Sequence, residues 1–188
     1  MRLPHQPTDN NGAMEHRSPA TQVWTHPNLE IRDSSVAGRG LFARHEIKVG
    51  EAVIQLGGRL VTTNELAKLV AVAEMTSRYV DTIQIEADSH LVLPEGSTAH
   101  FGNHSCDPNL WYDGEFILIA RRHIARNEEA TVDYATFSAV SGFSMECQCL
   151  ASSCRGQVTG DDWRLHHLQE RYGDHWTPAA LALIASQC

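Results

Sequence analysis

Asn103-His104-Ser105-Cys106-Asp107-Pro108-Asn109 is a short polar run whose one cysteine acquires meaning from a second cluster downstream, Cys147-Gln148-Cys149 followed by Cys154. A C-x-C-x4-C triad in a stretch of little apolar content has the composition of a metal-holding loop. Zinc takes four ligands in a closed structural site, so three thiolates leave one corner to fill. Cys106 is the natural candidate for it. A shell of Cys106, Cys147, Cys149 and Cys154 leaves no open position for water, which assigns the ion to structure rather than chemistry. Its binding energy would be folding energy that pins the C-terminal segment to the domain. Unligated thiols or a redox pair are the other readings of the same spacing. Cys188 is left over as a free thiol.

Outward from these clusters, the chain is 188 residues with 42% apolar content, enough for one domain with a real core. The formal net charge of -8 argues against direct nucleic-acid binding, which calls for a basic stripe, and favours a basic protein partner or simple solubility. No apolar run resembles a signal sequence or approaches the roughly 18 residues of a membrane span. An intracellular protein follows as the expectation, and reduced thiols suit metal there.

Met1 to about Thr25 is polar and proline-punctuated, and reads as a disordered leader. Strands are expected at Leu29–Ile31, Ala52–Leu56, Arg59–Val61, Thr82–Ile85, His90–Leu93 and Phe116–Ile119. Thr62-Thr63-Asn64-Glu65 has capping-box spacing, with Leu66, Leu69, Val70 and Ala73 as the apolar face of the helix it opens. Two further helices are expected, one after Asp161-Asp162 and one from Thr177-Pro178, where proline suits the first turn. The class is mainly β with short helices (α+β), without the alternation of a doubly wound sheet.

Three segments precede the C-x-C-x4-C cluster in fixed order. They are Gly38-Arg39-Gly40-Leu41-Phe42-Ala43, then Asn103 to Asn109, then Ala120-Arg121-Arg122-His123-Ile124 leading to Glu128-Glu129-Ala130-Thr131-Val132-Asp133-Tyr134. Together, over roughly Leu29 to Arg155, they resemble the SET-domain lysine methyltransferases with a post-SET zinc cluster. The resemblance implies a β-clip fold with a C-terminal pseudoknot, in which Asn103 and Tyr134 meet. It divides the chain into a leader (1–25), a SET domain (26–140), a post-SET segment (141–160) and a helical tail (161–188).

The resemblance also implies S-adenosylmethionine as methyl donor and a lysine-bearing protein, a histone or another basic protein, as acceptor. By the same resemblance, Gly38, Arg39 and Gly40 contact the amino-acid end of the cofactor, and Asn103 and His104 hold it. Tyr79 and Tyr134 line its pocket, and Trp163 closes over the adenine or the lysine channel. Tyr134 is the expected catalytic residue, with Tyr79 and Val132 beside it in the channel. Methyl transfer needs a neutral, aligned and dry amine, but no strong base.

Several positions depart from the family pattern. Asn127 replaces a usual glycine, and asparagine tolerates the left-handed conformation. His100-Phe101-Gly102 replaces a usual Arg-Phe-Ile. Val132 stands where Phe or Tyr is common, and its small side chain leaves space for more than one methyl. The competing reading is a SET-like module that binds protein without turnover.

Overall fold

The computed structural model describes residues 18–187, and most of the expected leader, together with Cys188, lies outside them. The first half contains β1 (Trp24–Thr25), β2 (Leu29–Asp33), β3 (Arg39–Ala43), β4 (Ala52–Gln55), β5 (Arg59–Val61) and helix α1 (Thr63–Met75). The second half of the domain adds β6 (Thr82–Glu86), β7 (Ser89–Val92), β8 (Asn103–His104), β9 (Leu110–Tyr112), β10 (Ile117–Ala120) and β11 (Glu129–Val132). The C-terminal part supplies β12 (Ser144–Glu146), β13 (Gln157–Thr159), α2 (His166–Tyr172) and α3 (Pro178–Ala185).

Short strands of this kind can be stable only by sharing a core, and three small sheets do so, with orders β1-β4-β10-β9, β2-β3-β11-β8 and β5-β7-β6. β12 and β13 form a separate hairpin. Leu41, Ile47, Val53, Leu91, Leu110 and Ile124 are buried at the shared centre. Full burial of an aliphatic side chain contributes about 1.5–3 kcal/mol, so this cluster outweighs any single polar contact. A second core of Trp163, Leu168, Tyr172, Trp176 and Ala180 belongs to the C-terminal tail. Among the described residues no helix is long and apolar enough to cross a membrane.

The capping box forms as spaced: Thr62 Oγ1 accepts from the Glu65 N–H at 3.3 Å, and Glu65 Oε2 accepts from the Thr62 N–H at 2.8 Å. Of the expected apolar face only Ala73 is buried, while Val70 is 36% exposed. Asn127 adopts φ 67°, the left-handed turn expected of it. Thr177 stands at the N-cap of α3, yet its hydroxyl makes no capping bond there.

One expectation is corrected. Order begins before Thr25: Ala20 bridges Gly57, and Trp24 and Thr25 pair with Gln55 and Ile54 on β4. β4 pairs with β10 on one side, and β1 covers its other edge. Arg39 and Gly40 are already strand, paired with Asp33 and Arg32 of β2. Only Gly38, at φ 48°, keeps turn conformation.

Candidate active site and thiolate cluster

β8 and β11 lie side by side in parallel, with Asn103 opposite Thr131 and His104 opposite Val132. This pairing brings the Asn103 segment against the Tyr134 segment, as expected. Asn109 extends the joint: its Oδ1 accepts from the Thr131 N–H at 2.8 Å and its Nδ2 donates to the Glu129 carbonyl at 2.7 Å. A buried side-chain amide thus satisfies backbone groups that would otherwise be left without partners.

The Asn103 side chain faces the glycine turn. Its Nδ2 lies 3.1 Å from the carbonyls of both Ala37 and Arg39, and 2.7 Å from Glu129 Oε1. Glu129 Oε2 in turn accepts from Ser34 Oγ at 2.8 Å. Gly40 is required by this packing, because a Cβ there would collide with the Glu129 carboxylate and press on the Asn103 amide. The Arg39 guanidinium lies over the Phe101 ring, 4.8 Å from its centroid.

Tyr134 opens a single 3-10 turn directly after β11. Its N–H donates to His104 Nδ1 at 3.2 Å and its phenol donates to the Gly102 carbonyl at 3.1 Å. Burial, assisted by the nearby Tyr79, Asp81 and Glu129, pushes the phenol up to about 12, so it keeps its proton at any physiological pH. The ring forms part of the wall of a largely apolar cavity of about 350 Å³, which Tyr79, Asp81, Tyr112, Val132 and Phe137 also line. Tyr79 is 77% exposed and sits at the rim, while Val132 is buried.

Tyr79, Val132 and Tyr134 are therefore gathered at one cavity, with Asn103, His104 and the glycine turn bonded behind it. Trp163 is not part of that wall. It is buried in the tail core, with Arg164 over its ring at 4.3 Å. Asp81, Tyr112 and Phe137 had no motif to announce them.

Sγ atoms of Cys106, Cys147, Cys149 and Cys154 all lie within 4.8 Å of one another. The Cys106–Cys147 separation of 3.8 Å matches the edge of a tetrahedron of thiolates about 2.3 Å from a zinc ion. Backbone N–H groups of Cys106, Arg155 and Gly156 point at Cys149, Cys106 and Cys154 sulfur atoms at 3.3–3.4 Å. Without a cation, burial pushes the Cys106 thiol up to about 11. The donor set therefore forms a metal-binding group, with donors in place for negative sulfur.

His104 joins the two sites. Burial holds its imidazole down to about 4, against the pull of the nearby Asp133, so the ring is neutral. With Nδ1 accepting from Tyr134, Nε2 carries the proton and faces Cys106 Sγ at 3.3 Å. Its side chain spans from the Tyr134 backbone N–H to Cys106 Sγ, which leaves the His104 backbone as the part available to the cofactor that the sequence reading assigned to it.

Comparison with known proteins agrees with this geometry. The chain is 31% identical over 149 residues to a histone H3-lysine(4) N-trimethyltransferase of Arabidopsis thaliana, covering 74% of this chain and 14% of that one. It is 33% identical over 135 residues to human histone-lysine N-methyltransferase 2B, covering 65% of this chain and 5% of the relative. The chain thus spans only a small part of the curated relatives it matches. Among solved structures, the methyltransferase domain of human histone-lysine N-methyltransferase SETMAR superposes with TM-score 0.54 at 22% identity, covering 68% of this chain and 56% of that one. Residues 38–135 match the SET domain family model, and the chain belongs to the SET-domain family.

Proposed function

We propose that this chain transfers methyl groups from S-adenosylmethionine to the side-chain amine of a lysine in a protein substrate. The observation that carries the proposal is the placement of Tyr134: its phenol lies on an apolar cavity while its backbone is bonded to the Asn103–His104 strand. When bound, the cofactor supplies an electrophilic methyl group together with its leaving group. Gly38, Arg39, Gly40, Asn103, His104, Tyr79 and Tyr134 are the residues that would hold it.

The protein's own part is to present a neutral amine. An apolar wall disfavours the ammonium, as would a neighbouring positive charge, and both lower the lysine pKa. Val132 and the aromatic rings exclude water and leave room around the amine. Tyr134, retaining its proton, can orient the amine without removing a proton from it. A zinc ion held by Cys106, Cys147, Cys149 and Cys154 would keep the C-terminal segment in place.

The relatives named above are histone-lysine methyltransferases, and the net charge of -8 suits a basic partner. We therefore propose a histone or another basic protein as substrate. The test is transfer of labelled methyl to an array of lysine-containing peptides, with Tyr134→Phe as control. Labelled peptide with the native chain and at least tenfold less with the variant supports the reading. Cofactor binding without any transfer would make the chain a silent binding module instead.

A further inference from the structure

Asp133, the residue before Tyr134, is fully buried, and both of its oxygens are filled. Oδ2 accepts from Arg155 Nη1 at 2.7 Å and from the Tyr172 hydroxyl at 2.9 Å. Oδ1 accepts from Arg155 Nη2 at 2.7 Å and from the Ala135 N–H at 3.0 Å. The Asp133 carbonyl accepts from the Thr136 N–H at 3.0 Å and from the Thr136 hydroxyl at 2.7 Å. One residue therefore sets the whole turn from which the Tyr134 ring projects.

The two side-chain donors to the Asp133 carboxylate come from elsewhere in the chain. Arg155 directly follows Cys154, its N–H points at Cys106 Sγ at 3.3 Å, and its Nε donates to Asp162 at 2.9 Å. Tyr172 ends α2 in the tail, and its neighbour Arg171 donates to the Cys106 carbonyl at 2.8 Å. Arg155 is only 10% exposed and Asp162 only 8%.

A buried ion pair of this kind is a poor source of stability, since desolvation offsets most of the Coulomb gain. What a bidentate guanidinium does supply is geometry, because its planar fork allows the carboxylate one orientation. That orientation fixes the Tyr134 backbone, and misplacement of a reacting group by about 1 Å can cost on the order of 100-fold in rate.

We propose that Arg155 and Tyr172 are positioning residues for Tyr134, acting through Asp133, so that the C-terminal tail is a working part of the active site. The inference rests on the reading of Tyr134 as the catalytic residue. It predicts a loss in turnover without a loss in binding, because neither residue lines the cavity.

The experiment is steady-state methyl transfer by the full chain carrying Tyr172→Phe or Arg155→Lys, with cofactor affinity, zinc content and Tm measured in parallel. Phenylalanine keeps the packing of Tyr172 and removes only the bond to Asp133. The expected result is a fall in kcat of about tenfold or more, with KM for peptide and cofactor and zinc content unchanged, and with the protein still folded at the assay temperature despite a lower Tm. Should Arg155→Lys fail to fold, Arg155→Met combined with Asp133→Asn and Asp162→Asn removes both stranded charges, and its kcat is expected to stay low. Native turnover in Tyr172→Phe overturns the proposal, as does a loss of turnover that only tracks loss of zinc or of folded protein at the assay temperature. Tyr134→Phe separates the two layers: full activity there sinks the underlying reading, whereas loss there with native activity in Tyr172→Phe sinks this inference alone.

Discussion

His104 accepts the backbone N–H of Tyr134 on one ring nitrogen, at 3.2 Å, and turns the other nitrogen to Cys106 Sγ at 3.3 Å. A neutral imidazole has one acceptor and one donor nitrogen, and this placement uses both. The phenol-bearing turn and the thiolate cluster are consequently one rigid unit. Outer partners of metal ligands typically affect affinity 10–100-fold. His104→Phe, which keeps a flat ring but has no ring nitrogens, is expected to lower zinc affinity by about that factor and to reduce methyl transfer with it. Chelator competition and the transfer assay measure the two effects, and native zinc affinity would separate the units.

The Tyr134 phenol, raised to about 12 from an ordinary value near 10, stays protonated where lysine amines titrate. Turnover should rise with pH as the substrate amine loses its proton, with no descending limb from this phenol below about pH 10. Stability follows the same sign. The unfolded chain releases this proton first, so the contribution of the buried phenol is intact below pH 10 and declines between pH 10 and about 12. A pH–rate profile and a melting series over that range check both statements. A descending limb near pH 8 that disappears in Tyr134→Phe would refute the first.

Gly40→Ala places a methyl group against the Glu129 carboxylate and the Asn103 amide. The joint between the glycine turn and β8 must then open. The expected result is weaker cofactor binding, by roughly tenfold, together with destabilisation of about 1–3 kcal/mol, typical of overpacking. Isothermal titration and denaturant unfolding report them. Gly38→Ala meets no neighbouring atom and pays only the strain of its positive φ, so its effect should be the smaller of the two.

Removing the metal acts on a segment with little core of its own. Val158 is its fully buried apolar residue beside Cys106 and Cys147. Cys154→Ser, or chelation under reducing conditions, is expected to speed amide exchange across the β12–β13 hairpin while the β2–β3 and β4–β10 pairs keep their protection. Hydrogen exchange read by mass spectrometry distinguishes the regions. Unchanged exchange in the hairpin, or metal analysis finding no zinc in the native protein, would remove the staple.

Val132 lines the cavity with a short side chain where a phenol or phenyl would project further. The native chain is expected to add more than one methyl, and Val132→Tyr to shift product toward the monomethyl form. Mass spectrometry of peptide product with excess cofactor decides it. Strictly monomethylated product from the native chain with excess cofactor would overturn this expectation.

The amino-acid sequence by itself determined what local pattern can specify. Capping chemistry placed the start of α1, alternation placed most strands, the left-handed tolerance of Asn127 placed a turn, and cysteine spacing announced a metal-binding group. Tertiary structure alone decided which distant groups face one another. The Asp133–Arg155–Tyr172 joint, the Asn109 clamp on β11 and the bond from His104 to the Tyr134 backbone all join residues far apart in the chain. Their partners are chosen by which backbone and charged groups would otherwise be buried unsatisfied, and that demand exists only once the sheets and the tail have packed together.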